Sequence, residues 1–98
     1  MERRTLVTII TESAVESRLL KDLERLGARG YTILEARGKG SHGDRSAAWD
    51  QDVNLQIEVI CDGHVAETII DFCREHYSAD YAMVIYLSEV QVFRPEKF

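Results

Sequence analysis

The residues best suited to chemistry lie in one polar segment, 36–52. Three of its glycines fall within six positions: Gly38, Gly40 and Gly43. Glycine lets a backbone turn freely and bring its N–H groups close to an oxyanion. The same segment carries the basic residues Arg37, Lys39 and Arg45, which could supply charge and hydrogen-bond donors to that oxyanion. The spacing predicts a phosphate-binding loop.

This segment differs from two common phosphate motifs. It has no Gly-Lys-Ser/Thr sequence that opens a helix, and no helical pattern follows its glycines as a dinucleotide-binding fingerprint requires. A solvated loop without a ligand is therefore the alternative. Loops of this length are uncommon in compact domains unless they bind something, which favours a binding role.

Other reactive side chains do not form a recognisable catalytic or metal site. The carboxylates near the first predicted helix have the spacing of a solvated helix face: Glu12, Glu16, Asp22 and Glu24. Cys61 falls in a strand-like run and Cys73 in a helical one, so we expect two small buried hydrophobic residues. We therefore predict no catalytic residue, no metal ligand and no cofactor.

Composition limits the class of protein. The 98 residues suit one domain, 1–98, with a single core. A net charge of -5 argues against a general nucleic-acid binder. Arg3 and Arg4 are not followed by a signal-peptide core, and no apolar run approaches the roughly 20 residues that span a bilayer. We expect a cytoplasmic protein that is not integral to a membrane.

The hydrophobic patterns predict four strands and two helices. Strands are expected at 4–11, 30–37, 53–61 and 81–93. One helix should follow a Ser13–Glu16 capping box and stop at Gly27, and another should run from Asp62-Gly63 to about Ser78. The order βαβ-βαβ predicts an α+β ferredoxin-like sandwich, with both helices on one face of a four-stranded antiparallel sheet.

The apolar stripes predict which side chains form the core. The first helix should bury Val15, Leu19, Leu20, Leu23 and Leu26, and the second Val65, Ile69, Phe72, Cys73 and His76. The third strand should turn Val53, Leu55, Ile57, Val59 and Cys61 inward and Asn54, Gln56 and Glu58 outward.

The predicted sheet has an apolar face that the two helices cannot cover. Strands one and four carry apolar residues on both faces, but the two helices can cover only one. We therefore expect the other face to meet further subunits in a closed ring, with identical clefts at the subunit boundaries.

The segment around the predicted phosphate-binding loop resembles a known protein family. The stretch Gly30–Gly40, the long loop and the stretch Val53–Ile60 resemble strand two, the T-loop and strand three of the PII signalling superfamily. Gly38-Lys39-Gly40-Ser41, followed by Arg45-Ser46, is more similar to PII-like proteins associated with bicarbonate transporters and carboxysomes than to classical nitrogen regulators. The resemblance implies a homotrimer with adenine nucleotides in its intersubunit clefts and a T-loop at 37–52.

The resemblance also implies roles for individual residues. Thr32 should contact the adenine, Ile10, Glu58 and Ile60 should shape the base pocket, and Gly38 and Gly40 should approach the nucleotide through their backbones. Arg45 should reach the phosphates, and Arg94 should come from the neighbouring chain. Lys39, Ser41 and Ser46 complete the predicted nucleotide-binding set.

The chain also departs from the classical pattern. His76–Tyr81 replaces the glycine-rich phosphate loop, Val92 replaces an arginine, and His42 stands where classical members use glutamine to chelate magnesium with 2-oxoglutarate. These differences argue against triphosphate binding and against classical nitrogen sensing by this chain.

The predicted function is a non-enzymatic sensor. It should bind ADP or AMP, with bicarbonate as a second ligand, and signal through its T-loop to a protein of inorganic-carbon uptake or carboxysome function. One alternative is a trimeric divalent-metal-binding protein resembling the copper-tolerance family. Another is a weak nucleotide hydrolase in which Arg45 steadies a phosphate and His42 positions water.

Overall fold

A computed structural model of the chain describes residues 1–38 and 54–98. Its elements follow the predicted order: β1 (Glu2–Glu12), α1 (Glu16–Leu26), β2 (Thr32–Ala36), β3 (Asn54–Cys61), α2 (Gly63–His76) and β4 (Met83–Val92). Single 3₁₀ turns lie at Ser13–Val15 and Pro95–Lys97. The remaining positions, 39–53, include most of the predicted T-loop and lie outside the described residues.

The four strands form one antiparallel sheet in the order β2-β3-β1-β4. β1 lies at its centre, where Val7 stands opposite Val59 of β3 on one side and Leu87 of β4 on the other. This strand order and the two helices confirm the α+β ferredoxin-like fold. Compared with the predictions, β1 is longer, and β2 and β4 are shorter.

The core lies between the sheet and the helices. Val7 and Ile9 of β1 and Ile57 and Val59 of β3 are 0% exposed, because alternate residues of the central strands share one covered face. The helices contribute their apolar stripes to this core, with Leu19 and Leu23 from α1 and Ala66, Ile69 and Cys73 from α2. Full burial of each large aliphatic side chain is worth about 1.5–3 kcal/mol.

Local residues set two of the predicted helix ends, at Gly27 and at Asp62. Gly27 ends α1 with φ at 116°, and the N–H of Ala28 donates to the carbonyl of Leu23 at 2.9 Å. Asp62 caps α2, where its Oδ1 accepts from the N–H of Val65 at 2.8 Å. Both ends confirm the sequence prediction.

The predicted Ser13–Glu16 capping box is wrong. Ser13 begins a 3₁₀ turn instead of capping the helix, and α1 begins only at Glu16 without a side-chain cap. The turn places Val15 in the core at 2% exposure. The turn makes Val15 the N-cap residue of α1, and because its buried side chain has no hydrogen-bonding group, the helix has no side-chain cap.

The last turn of α2 also differs from the prediction. His76 is exposed and stacks on Phe72 with ring centroids 4.2 Å apart, so it is not a core residue. Tyr77 is buried instead, at 1% exposure. Because α2 ends at His76, the backbone changes direction there, and the next side chain turns inward towards α1.

The predicted exposure of Asn54 is also wrong. The alternation places it on the outward face, yet it is 1% exposed. It opens the central strand β3, with Glu12 opposite it on β1 and Ala36 opposite it on β2. Neighbours on both sides therefore shield a position that alternation alone assigns to the surface.

The sheet face opposite the helices, here called the open face, is rich in apolar side chains. It carries Leu6, Ile10, Leu34, Ile60, Val84 and Tyr86, as the strand register and side-chain alternation require. Val84 is 46% and Tyr86 48% exposed. The expected apolar residues on both faces of β1 and β4 are therefore present. Across the described residues, no helix is long and apolar enough to cross a bilayer.

Candidate ligand-binding site

A cavity of about 330 Å³ opens at the start of β2. Its size lies within the range of small-molecule sites, about 300–1,000 Å³. The side chains and backbone that line it come from the 30–32 segment, from β3 and from the end of the chain: Gly30, Tyr31, Thr32, Glu58, Ile60, Lys97 and Phe98.

The sheet register brings the first part of the site together. Thr32 of β2 stands directly opposite Glu58 of β3, so both side chains are on the open face. Ile60 follows two positions further along β3 and lies on the same face. The β2–β3 ladder begins at Thr32, so Gly30 and Tyr31 precede it and close that end of the cavity.

The second part of the site is the 95–97 turn. β4 runs antiparallel to β1, with Val92 opposite Glu2, so the chain leaves the sheet beside the start of β1. Two arginines hold the turn that follows. Nη2 of Arg4 donates to the carbonyl of Pro95 at 3.5 Å, and Nη1 of Arg29 donates to the carbonyl of Glu96 at 3.3 Å. Lys97 and Phe98 reach the cavity from this turn.

The cavity combines apolar surface with two opposite charges. Tyr31, Ile60 and Phe98 offer apolar surface to a flat ring. The Glu58 carboxylate accepts from Nε2 of Gln56 at 3.0 Å and can accept further hydrogen bonds, while Lys97 adds a cationic donor. Such a set suits a planar heterocycle whose edge carries hydrogen-bond donors and whose substituent carries negative charge.

The structure brings together three of the predicted site residues: Thr32, Glu58 and Ile60. Ile10 lies on the same face, opposite Gln56, but does not line the cavity. Gly38 is exposed, two positions beyond the far end of β2.

Arg94 also does not line the cavity of its own chain. It is exposed after β4, with its guanidinium carbon 5.9 Å from the ring centroid of Phe93. The remaining predicted site residues lie outside the described residues: Lys39, Gly40, Ser41, Arg45 and Ser46.

Sequence reasoning missed Tyr31, Lys97 and Phe98 as site residues. The predicted strand order could have indicated that the end of the chain lies near residues 30–32. In a ferredoxin-like sheet the end of β4 lies beside the start of β1 and therefore near the end of β3, which is the edge where residues 30–32 approach the sheet. A short tail after β4 could thus have been expected at this edge.

The two cysteines are buried, as predicted, and neither lines this cavity. Cys61 is 3% and Cys73 0% exposed, and both are free thiols. Burial raises the pKa of the Cys73 thiol to about 12 and that of Cys61 to about 11. Within the ranges 1–38 and 54–98, no three His, Cys, Asp or Glu side chains converge in a way that could hold a metal ion.

Comparison with known proteins identifies the family to which the chain is similar. The sequence profile described as "Nitrogen regulatory protein P-II" matches residues 4–97. A Thermus thermophilus protein described as a PII-like signalling protein is 44% identical, with a TM-score of 0.83 and coverage of 98% of this chain and 95% of that one.

Two structures of CPII from Thiomonas intermedia K12 are also similar. The complex with ADP, AMP and acetate is 26% identical, has a TM-score of 0.85 and covers 98% of this chain and 94% of that one. The complex with ADP and bicarbonate is 25% identical, with a TM-score of 0.85 and coverage of 99% and 95%. The profile match over nearly the whole chain, together with this shared fold, shows that the chain belongs to the P-II family of trimeric signalling proteins.

Proposed function

We propose that this protein is a homotrimeric, non-enzymatic sensor of ADP or AMP that also responds to bicarbonate. Its single domain, 1–98, acts in the cytoplasm and signals through the T-loop at 37–52. The target is a protein of inorganic-carbon uptake or fixation, as in the carboxysome-associated and transporter-associated branch that the Gly38–Ser41 motif resembles.

The observation that carries the proposal is the convergence of Thr32, Glu58 and Ile60 on one cavity. The Thr32 hydroxyl can exchange hydrogen bonds with ring nitrogens or the exocyclic amine of adenine, and Glu58 can accept from that amine or from a ribose hydroxyl. Ile60 supplies apolar surface against the base. These are the three kinds of contact that an adenosine moiety needs.

The phosphates are assigned to residues outside this cavity. We propose that Arg45 binds them, that Lys39, Ser41 and Ser46 and the backbones of Gly38 and Gly40 surround them, and that Arg94 reaches them from the neighbouring chain. We propose that Ile10, which lies on the open face but outside this cavity, adds apolar surface to the intersubunit cleft. Ligand contact with the 37–52 segment is the step that passes the signal to the target.

The choice of ligands is supported by the relatives. CPII has been solved with ADP, AMP and acetate and with ADP and bicarbonate. Its identity to this chain is 26% and 25% in the two structures, and the likeness extends over almost the whole length. The adenine-nucleotide and bicarbonate assignments rest on that likeness and on the composition of the cavity.

Calorimetric titration tests the proposal directly. AMP, ADP, ATP and cyclic AMP are titrated separately, each with and without bicarbonate. We expect ADP or AMP to bind most tightly and bicarbonate to change that affinity. Absence of binding by all four nucleotides would refute the sensor function.

A second experiment separates a sensor from a hydrolase. Wild-type protein and Arg45→Ala are incubated with ATP and ADP, and the products are separated by ion-exchange chromatography. We expect no turnover by either protein, while Arg45→Ala binds ADP more weakly and adenosine unchanged, because a charge-assisted contact to phosphate is worth about 1.5–3 kcal/mol. Turnover that the substitution abolishes would favour the hydrolase.

A further inference from the structure

We propose that Gln56 is a positioning residue for nucleotide recognition. Its side-chain amide holds one oxygen of the Glu58 carboxylate, so that the other oxygen is presented to a hydrogen-bond donor of the nucleoside. This role rests on the proposed function and deepens it, because it assigns a residue outside the cavity to the choice of ligand.

The contact between the two side chains is direct. Nε2 of Gln56 donates to Oε2 of Glu58 at 3.0 Å. The residues are two positions apart on β3, so both side chains are on the open face. Glu58 lines the cavity and Gln56 does not, so the amide reaches the carboxylate from outside the cavity.

The neighbours of Gln56 across the sheet favour this contact. In the strand register Gln56 stands opposite Ile10 of β1 and Leu34 of β2, whose side chains carry no hydrogen-bonding group. Gln56 and Glu58 are both half-buried, and a hydrogen bond to a charged acceptor is stronger there than in open water. The amide therefore has a preferred partner before any ligand binds.

A carboxylate held in this way selects ligands by their hydrogen-bond donors. Both of its oxygens accept and neither donates, so with Oε2 bound to the amide, Oε1 remains as the acceptor for the ligand. An adenine nucleoside offers two kinds of donor, the exocyclic amine and the ribose hydroxyls. A glutamate side chain that is ordered in advance loses less entropy on binding than a free one. A ligand without the matching donor would leave the Glu58 carboxylate unpaired, which lowers its affinity.

Calorimetry of substituted proteins tests this role. Gln56→Met keeps the length of the side chain and removes the donor, so it should weaken ADP binding by about fivefold. Gln56→Asn keeps the amide but draws it back by one methylene, and it should also weaken ADP. Gln91→Met is the matched control, because Gln91 is exposed on β4 and does not line the cavity. Light scattering and thermal unfolding check assembly and fold, and if Gln56→Met changes the mass in solution, Gln56→Asn carries the test.

A double-mutant cycle separates a role through Glu58 from a merely structural one. Glu58→Met removes the carboxylate, and adding Gln56→Met should then cause no further loss of ADP affinity, whereas independent contributions would add. The same titrations with IDP, which lacks the exocyclic amine, and with dideoxy-ADP, which lacks both ribose hydroxyls, identify the donor. The effect of Gln56→Met should vanish for the analogue that lacks the group bound by Glu58.

The outcomes distinguish this role from the proposed function. If wild-type protein binds ADP and Gln56→Met binds it as tightly as Gln91→Met does, Gln56 has no role in recognition and this inference fails alone. Additive losses in the cycle, or an equal loss for ADP and both analogues, would also refute it while leaving the proposed function intact. If wild-type protein binds no nucleotide, the proposed function fails, and this inference fails with it.

Discussion

At the scale of single residues, Thr32 is the side chain whose proposed role in nucleotide binding is easiest to test. It begins β2, faces Glu58 across the ladder and is exposed in the free chain. Its β-branched shape suits a strand whether or not a ligand binds, so only the hydroxyl distinguishes a binding role from a structural one.

We expect Thr32→Val to weaken ADP binding by about fivefold, equivalent to about 1 kcal/mol, because it keeps the shape and removes one hydrogen bond. Calorimetry measures the effect. Thr68→Val is the control, since Thr68 lies on α2, where its hydroxyl donates to the His64 carbonyl at 3.0 Å. Equal affinities for wild type and Thr32→Val would remove Thr32 from the site.

The buried cysteines allow a second residue-scale prediction. The Cys73 thiol has an ordinary pKa of 9.0 when exposed and about 12 in the folded chain, because burial disfavours the thiolate. The neutral thiol therefore favours folding fully below pH 9, and this contribution is lost as the pH rises from 9 towards 12.

Two measurements check this behaviour of the thiols. Alkylation of the native protein near neutral pH should be at least about 100-fold slower than alkylation in denaturant. Urea unfolding of wild type should lose more stability than that of Cys73→Ala as the pH is raised above 9. Rapid native alkylation, or the same pH dependence in both proteins, would contradict the assignment.

At the scale of elements, the ends of the helices determine how they pack on the sheet. Gly27, directly after α1, adopts a left-handed backbone conformation. The chain then turns so that Ala28 packs in the core, where it is 7% exposed. α1 is joined to the end of α2 through Tyr77, whose hydroxyl donates to Asp22 and accepts from Nε of Arg18 at 3.2 Å. Asp22 and Arg18 on α1 therefore provide hydrogen-bond partners for the hydroxyl of the buried Tyr77 side chain.

Gly27→Ala should destabilise the protein by about 1 kcal/mol or more. Its φ of 116° is strained for alanine, and an added Cβ would lie 3.2 Å from Cγ2 of Val65. Gly63→Ala is the matched control, because no atom lies within 4 Å of its added Cβ and α2 would gain a better helix former. Urea unfolding compares the two, and equal stability of both variants would contradict the argument.

At the scale of the whole molecule, the open face is the surface that we expect to form the contacts between subunits. The P-II family is trimeric, and this face leaves large apolar side chains exposed in the single chain. Exposed apolar patches on soluble domains mark interaction surfaces. A ring of three chains would bury the open faces and place each cavity beside a neighbouring chain, from which Arg94 is proposed to act.

Tyr86→Glu should disrupt the trimer, because Tyr86 is 48% exposed on the open face and a buried carboxylate there would lack a partner. Light scattering should give wild-type protein a mass near three times 11.2 kDa and the variant a smaller one. Ser17→Glu, on the exposed side of α1, should remain trimeric. A wild-type monomer at micromolar concentration would overturn both the ring and its intersubunit cleft.

The local part of this architecture could be predicted from the sequence. Alternation in β1 and β3 and the 3.6-residue stripes of α1 and α2 identify the elements and most of the core, because a side chain's face follows from the geometry of its own element. Gly27 and Asp62 mark helix ends through their own backbone and side-chain preferences. The grouping of Thr32, Glu58 and Ile60 came from family resemblance, and the sheet register then placed them on one cavity.

Tertiary structure decided what depends on distant segments. A 3₁₀ turn with a buried Val15 is found in place of the predicted capping box at Ser13, and at the end of α2 Tyr77 is buried in place of His76. Lys97 and Phe98 joined the cavity only because β4 lies beside β1, which carries the tail to the edge near Thr32. Local periodicity fixes which way a side chain faces within its own element, whereas its neighbours across the sheet follow from strand order and register, which are set by packing of the whole chain.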